Sequence, residues 1–499
     1  MQHPSLTMNM IQLDPAKSDS MQFQLHSSMR EAIVSRQLQP GGRLPSTREL
    51  AKRWGVSRNT VMGAFDQLIA EGYLEGRQGA GTFITSRVPE SYFRASSSGR
   101  EACTAIAERR AAELRARVTQ SRNFACQRFP SLPLRPTVPA LDEFPMQIWE
   151  QCRRAVLRHG EKELLTYGDP LGYWPLRRAI ASYLRDSRGV RCEPAQVIIC
   201  CGSQQGIYLS ASLLLNAGDL VWMEDPGYNG AKLVYERFAC RMQSVPVDRE
   251  GMNINAGASM SGPARLIHVS PSHQFPLGST MSLERRLQLL DYARETGAYI
   301  LEDDYDSEYR YEGKPIASLQ GLDQNGSTIY VGTLSKVLFP SLRLGYLVVP
   351  SGLVDLFEHA RSCVDGNPTI VDPATLALFM EEGHFARHIR RMRALYKERL
   401  EVLQDAVRIR LRGALTLEGQ QCGMHAVGRL HSSIDDEFLS QQALKKGIVV
   451  PSISRYCWKA KVDPGFVLGF AGFPESEIRA AVDRLATVMD QKENWAIGA

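Results

Sequence analysis

From residue 143 onward the sequence alternates short apolar runs with amphipathic stretches of helical length. The runs are QVIICCG, DLVWMEDP, RLIHVSP, AYILEDDY, STIYVGTLS and LRLGYLVVP. Segments this short and this uniformly apolar predict strands buried on both faces. Strands of that kind, separated by helices, predict a mainly parallel sheet covered by helices, an α/β body. Further on, the long helical stretch GHFARHIRRMRALYKERLEVLQDAV is followed by short strands, which predicts a smaller C-terminal α+β lobe. No apolar run approaches the ~18 residues that span a bilayer. The N-terminus lacks a basic stretch followed by an apolar one, so no signal peptide is expected and the protein is read as cytoplasmic, with no membrane partner. The ten cysteines include no CxxC pair, so free thiols are expected and no metal site.

The first part of the chain obeys a different pattern. MQFQLHSSMREAIVSRQL reads as a helix with Phe23, Leu25, Met29, Ile33 and Val34 as its apolar stripe. STRELAKRW follows, with Ser46 and Glu49 at capping-box spacing. After the turn GVS, SRNTVMGAFDQLIAEGYL reads as another helix, capped by Ser57. GYLEGRQGAGTFIT reads as two short strands around a glycine-rich turn. Three helices and a β-wing over residues 21–86 describe a winged helix-turn-helix. Charge agrees: residues 21–87 and residues 88–142 each carry +4, while residues 143–499 carry −2. A basic first third on a slightly acidic body fits nucleic-acid binding at one end.

In a helix-turn-helix the second helix enters the major groove and its first residues reach base edges. Those residues are Ser57, Arg58, Asn59 and Thr60. Arg pairs with guanine and Asn with adenine. Arg48 and Lys52 fall near phosphates, and Arg77 and Gln78 enter the wing. Residues 87–142 are Ala/Arg/Glu-rich and then proline-rich, and read as a linker. The fold class expected is therefore multidomain: a winged helix at 21–86, a linker at 87–142 and an α/β body with a smaller lobe at 143–499.

The body carries a lysine in a telling place, Lys336 in GTLSKVLFPSLRLGY. A lysine amine can hold an aldehyde as a Schiff base, and pyridoxal phosphate (PLP) is the common aldehyde. Such a site needs a carboxylate for the pyridine nitrogen, a donor to the ring hydroxyl, an aromatic plate and a phosphate cradle. ILEDDYD supplies Asp303 and Tyr305 at a strand end, and EDPGY supplies Tyr228. CGSQQG places Ser203 and Gln204 at a helix start, where exposed N–H groups favour an anion. Arg343 adds a fixed positive charge, and Thr333 lies just ahead of Lys336. Each piece alone has an ordinary structural reading; the order and spacing together point to the cofactor.

LPSTRELAKRWGVSRNTVMGAFDQLIAEGYLEGRQGAGTFI closely resembles the winged-helix domain of the GntR family of bacterial regulators. TYGDPLGYWPLRRAI, VIICCGSQQG, WMEDPGY, SPSHQFPLG, LEDDYDSEYRY, GTLSKVLFPSLRLGYLV and CGMHAV resemble fold type I aminotransferases. The whole chain resembles MocR/GabR-type regulators, in which the two are fused through a linker. The resemblance implies that Lys336 forms the Schiff base, Asp303 binds the ring nitrogen, Tyr305 the ring hydroxyl and Tyr228 the ring face. Ser203, Gln204 and Arg343 would hold the phosphate. Tyr167 would reach in from the other subunit of a homodimer. Phe275 stands where aminotransferases carry an Asn beside the ring hydroxyl, which argues against fast transamination. Arg455 is the candidate for an effector carboxylate.

The expectation is a PLP-dependent transcriptional regulator of double-stranded DNA with two half-sites. An amine, an amino acid or PLP itself would be the effector. A working aminotransferase with a DNA-binding head, and a DNA-binding protein whose body only dimerises, stay open as alternatives.

Overall fold

A computed structural model of the chain describes residues 11, 13–14, 19–77, 80–86, 108, 111 and, apart from 161, 261, 312–316, 420–421 and 432–434, residues 132–490. It contains two compact units, one ending at Gln120 and the other starting at Ser121.

The first unit is a three-helix core with a hairpin. Helices α1 (Met21–Val34), α2 (Thr47–Trp54) and α3 (Arg58–Ala70) are followed by strands β1 (Leu74–Arg77) and β2 (Gly81–Ile84). The strands pair antiparallel, with Leu74 opposite Ile84 and Arg77 opposite Gly81. The helix starts form where the sequence places caps. The Ser46 side chain accepts from the Glu49 N–H and the Ser57 side chain from the Thr60 N–H, each satisfying a donor that the first helical turn leaves open. Leu25, Met29 and Ile33 of α1 pack with Leu50, Val61, Phe65 and Leu68. Phe23 departs from the expected stripe: it is 54% exposed, two residues before the buried Leu25 and so on the other side of the helix.

The second unit is built on an eight-stranded sheet. Its strands are β3 (Val197–Cys200), β4 (Leu220–Asp225), β5 (Arg241–Asp248), β6 (Gly251–Met252), β7 (Leu266–Val269), β8 (Tyr299–Asp304), β9 (Thr328–Thr333) and β10 (Gly345–Val348). They lie in the order β3-β10-β9-β8-β7-β4-β5-β6. β5, β4, β7, β8 and β9 run parallel, and β10 runs antiparallel to both β9 and β3. β3, β4, β7 and β9 are buried at every position, as their apolar runs require. A three-stranded antiparallel sheet of β11 (Leu415–Leu417), β12 (His425–Leu430) and β13 (Gly465–Gly469) forms the smaller lobe. The helices His384–Arg410 and Glu475–Asp490 share its apolar core.

The expected linker is too long at its C-terminal end. Residues 132–142 are integral to the second unit. Leu134 and Ala140 sit in the core of the smaller lobe. Val449 N–H donates to Pro133 O at 3.0 Å, and Gly469 N–H to Leu134 O at 2.8 Å. Prolines that read as an extended spacer here run alongside lobe strands and leave the carbonyls beside them free to accept. Most of the remaining linker lies outside the described residues.

Candidate functional site

The parallel sheet brings the C-terminal ends of β4, β7, β8 and β9 to one edge, which is where ligands sit in open α/β sheets. Register fixes who meets there: Gly345, at the start of the antiparallel β10, pairs with Thr333 on one side and Cys200 on the other. Thr333, the loop after it and the helix after Cys200 thus converge. The result is a cavity of about 220 Å³. Ser203, Gln204, Tyr228, Asp303, Tyr305, Thr333, Lys336 and Arg343 all line it, together with Thr137, Ser270, Phe275 and Ser335.

One end of the cavity is built for an anion. The helix Ser203–Leu214 starts there without a side-chain cap, its N-terminal N–H groups aimed outward. Gly202 precedes it at φ 83°, a conformation open to glycine, and a Cβ there would stand 3.3 Å from Arg343 Nη2. Arg343, itself at φ 52°, donates from Nη2 to Cys201 O at 3.0 Å, which holds the guanidinium over this corner. On the adjoining wall the Tyr228 hydroxyl donates to Gln204 Oε1 at 3.0 Å, and Gln204 Nε2 donates to Gly230 O at 2.8 Å.

The opposite end is acidic and dry. Asp303 is 6% exposed and its Oδ1 is buried without a protein partner. Its Oδ2 stands 3.6 Å from His268 Nε2. The Tyr235 hydroxyl lies 2.9 Å from His268 Nδ1; donating there, it leaves the ring proton on the nitrogen that faces Asp303. Glu224 lies behind Ser270, whose N–H it accepts at 3.2 Å. Burial pushes the Glu224 carboxyl up to about 8, with Asp303 adding to the rise. Tyr305 reaches His273 Nδ1 at 3.0 Å, and burial, with the Asp306 carboxylate next, holds its phenol well above the ordinary tyrosine range. Lys336 Nζ donates to Thr137 Oγ1 at 3.2 Å between these two ends.

In the first unit, Arg48, Lys52, Ser57, Arg58 and Asn59 are exposed, as DNA contact requires. Ser57 and Thr60 differ from Arg58 and Asn59 in one respect. The Ser57 hydroxyl caps α3 and lies 2.8 Å from Thr60 Oγ1, so both hydroxyls are engaged with each other. Arg77 is held by Glu75 at 2.5 Å and lies 4.5 Å over the Phe83 ring. Gln78 lies outside the described residues.

A model of class I and II aminotransferases matches residues 142–485, and one of the gntR family of bacterial regulatory proteins matches residues 23–84. The chain is 38% identical over 479 residues to a probable rhizopine catabolism regulatory protein, MocR, of Rhizobium meliloti, covering 95% of both chains. The chain belongs to the MocR/GabR-type regulators. Another relative of this MocR-type chain is the pyridoxine biosynthesis transcriptional regulator PdxR of Corynebacterium glutamicum. It is 30% identical over 475 residues, covering 94% of this chain and 96% of its own. A solved kynurenine aminotransferase of Pyrococcus horikoshii superposes with a TM-score of 0.68 at 24% identity, over 81% of this chain and 97% of its own. That likeness shows the aminotransferase fold of the body, and the family matches place a GntR winged helix ahead of it in the sequence.

The residues of the MocR-type cavity fit pyridoxal phosphate. The buried, unpartnered Asp303 Oδ1 matches a protonated ring nitrogen, and the uncapped helix start with Arg343 matches a phosphate. Two other expected residues do not line the cavity. Tyr167 is 91% exposed on the body's surface, near Leu165 at 86%. Arg455 lies on the short 3-10 helix Ser454–Tyr456, mostly covered, with Nη1 3.8 Å from Glu437. Its neighbour Tyr456 meets the cavity residue Phe275 edge to face at 5.0 Å. Sequence reasoning missed Thr137, because RPTVPA reads as spacer and its contact with Lys336 spans the body. It also missed His268, although a histidine inside the apolar strand LIHV was a legible signal. Among the described residues, no helix is long and apolar enough to cross a membrane.

Proposed function

We propose that this chain is a PLP-dependent, DNA-binding transcriptional regulator. An amine, an amino acid or PLP itself is sensed at Lys336 and alters DNA binding. The observation that carries the reading is the convergence of a lysine, a buried unpartnered carboxylate oxygen and an anion-ready helix start on one cavity.

Bound there, PLP supplies an aldehyde that bonds reversibly to amines. The chain's own residues do the rest. Lys336 would hold the aldehyde, in a bond that a free amine can contest. Asp303 accepts the hydrogen bond of the ring nitrogen and keeps it protonated, with His268 fixing the carboxylate. Tyr305 donates to the ring hydroxyl, and Tyr228 packs on the ring face. Ser203, Gln204 and Arg343 take the phosphate, with Thr333 at the wall beside Lys336. Arg455, outside the cavity lining but next to the Tyr456 that meets Phe275, would take an effector carboxylate in place of Glu437. Release of the lysine tether and contact with Arg455 would favour one arrangement of the protein over another; an effector shifts that balance only by its differential affinity.

The exposed apolar side chains Leu157, Leu165, Tyr167 and Trp174 support a homodimer in which Tyr167 completes the partner's site. A dimer presents two winged helices, hence two DNA half-sites. Arg58 and Asn59 would read bases, with Arg48, Lys52 and Arg77 on phosphates.

The test is the absorption spectrum of the purified chain with PLP, wild type against Lys336→Ala, followed by titration with amines. A visible band in wild type alone, shifted by one class of amine, supports the reading; no band in either protein contradicts it. A working aminotransferase is the second reading, favoured by the full set Lys336, Asp303, Tyr305 and Arg343. Sustained exchange between an amino acid and a keto acid at ordinary enzymatic rates would establish it. Phe275, which offers no hydrogen bond at the ring hydroxyl, weighs against it.

A further inference from the structure

Behind Tyr305 lies a buried polar group that the roles above leave unused. His273 and Asp306 are 2% and 0% exposed. His273 Nδ1 lies 2.9 Å from Asp306 Oδ1 and 3.0 Å from Oδ2. The Met424 N–H donates to Asp306 Oδ2 at 3.1 Å. Gly423 seals the ring from the other side: a Cβ there would fall 1.9 Å from His273 Cε1. The His425 ring lies against His273 with centroids 4.8 Å apart and planes tilted by 35°.

The three residues His273, Asp306 and His425 have ligand atoms within 4.8 Å of one another, close enough to consider a metal ion. Both rings are already engaged in hydrogen bonds, His425 Nε2 with Pro276 O at 3.1 Å and His273 Nδ1 with Asp306. The hydrogen-bond inventory gives a better account. A buried carboxylate only accepts, so Asp306 requires the proton of His273 on Nδ1. His273 Nε2, buried without a partner, is then a bare acceptor, which costs less than a stranded donor or charge. The Tyr305 oxygen stands 3.0 Å from the same Nδ1. A protonated Nδ1 has no lone pair to offer, so the Tyr305 hydroxyl cannot donate to it. Among the described residues the Tyr305 hydroxyl has no other hydrogen-bond partner, so its own proton turns to the cavity that Tyr305 lines.

We propose that His273, oriented by Asp306, is a positioning residue that commits the Tyr305 hydroxyl to donating into the cofactor cavity. This rests on the reading that the cavity takes PLP. It assigns His273 the task of fixing the direction of a hydrogen bond to the ring hydroxyl, on the side where Phe275 offers none. The titratable groups around Tyr305 include His273 at 3.0 Å and Lys336 on the same cavity wall; burial, with Asp306, Cys422, Asp303 and Glu224, raises its phenol well above the ordinary range and keeps it protonated. The donated bond stabilises a negative ring oxygen, so it lowers the pH at which the visible band of the Lys336-bound cofactor changes.

The experiment is a spectral pH titration of the PLP-loaded full chain. Tyr305→Phe and His273→Phe are each expected to raise the midpoint by about one pH unit, the loss of one charge-assisted hydrogen bond. The double variant is expected to go no further than either single one. His273→Asn, whose side-chain N–H can still donate to Asp306 and Tyr305, stays near wild type. If His273→Phe leaves the midpoint in place while Tyr305→Phe moves it, or if the two shifts add, the proposal is overturned. A wild-type protein without any visible band overturns the PLP reading and this proposal together. The tautomer provides a check without any variant: histidine ¹⁵N shifts of the ligand-free protein should show His273 protonated on Nδ1, and protonation on Nε2 alone contradicts the account.

Discussion

The surface proposed to read DNA and the cavity proposed to hold the cofactor are assembled in opposite ways. Arg58 and Asn59 lie side by side at the exposed start of one helix, and a single local hydrogen bond from Ser57 sets that start. Asp303, Ser203, Tyr228 and the pair Lys336 and Arg343 come from four separate segments that only the sheet register brings together. A surface made of local structure changes by degrees when one side chain is altered. A buried site made of distant strand ends has no such tolerance, because each polar atom left unmatched inside it carries a desolvation cost.

That contrast sets the order of expected effects. Asp303→Asn replaces a buried charge of the same shape and should weaken PLP binding by roughly 30- to 100-fold, the value of one charge-assisted hydrogen bond in a dry site. Equilibrium dialysis or spectral titration measures it, and an unchanged Kd would remove Asp303 from the cavity's chemistry. Arg58→Ala should cost about 1–3 kcal/mol of DNA affinity and relax preference at one base position. Lys52→Ala should weaken all sequences alike and lower the salt slope by about one. Binding isotherms at several salt concentrations separate the two, and identical behaviour would erase the division between base and phosphate contacts.

Glu224 sharpens the comparison from the stability side. Its carboxyl is raised to about 8 by burial, from an ordinary value of 4.5. The folded body therefore holds a proton that the unfolded chain releases. This contribution is fully present below pH 4.5 and is lost as pH rises through about 8. Glu224→Gln should flatten that decline, by up to about 5 kcal/mol between the two limits at roughly 1.4 kcal/mol per unit, seen in urea unfolding of the body at several pH values. An equally steep decline in the variant would place its origin elsewhere. The smallest effect belongs to the head: Ser57→Ala removes a cap and should cost about 1 kcal/mol of its stability. A loss several times larger would mean that the head is no more tolerant than the cavity.

Legibility in the sequence followed the same division. The caps at Ser46 and Ser57 and the hairpin Leu74–Ile84 are signals carried by neighbouring residues, and all were readable. Strand runs were readable because a strand buried on both faces admits little but apolar side chains, and the eight cavity residues followed from motifs at their ends. What could not be read is pairing across distance. His273 and Asp306 are 33 residues apart on different loops, and nothing local announces their hydrogen bond. Thr137 belongs to a proline-rich stretch whose path is set by the lobe it packs on. Phe23 failed for the reverse reason: a stripe gives the periodicity of a helix face but not where the core beneath it begins.

The most direct test of the account joins its two ends. DNA selected by the full-length chain from a random library is labelled, and its fluorescence anisotropy is followed on titration with PLP-loaded protein, with and without the amine that shifts the visible band. Wild type should change its DNA affinity when the amine is present, and Lys336→Ala should bind the same DNA but give no response. An amine that moves the band while DNA affinity stays fixed, or an equal response in Lys336→Ala, would contradict sensing through Lys336.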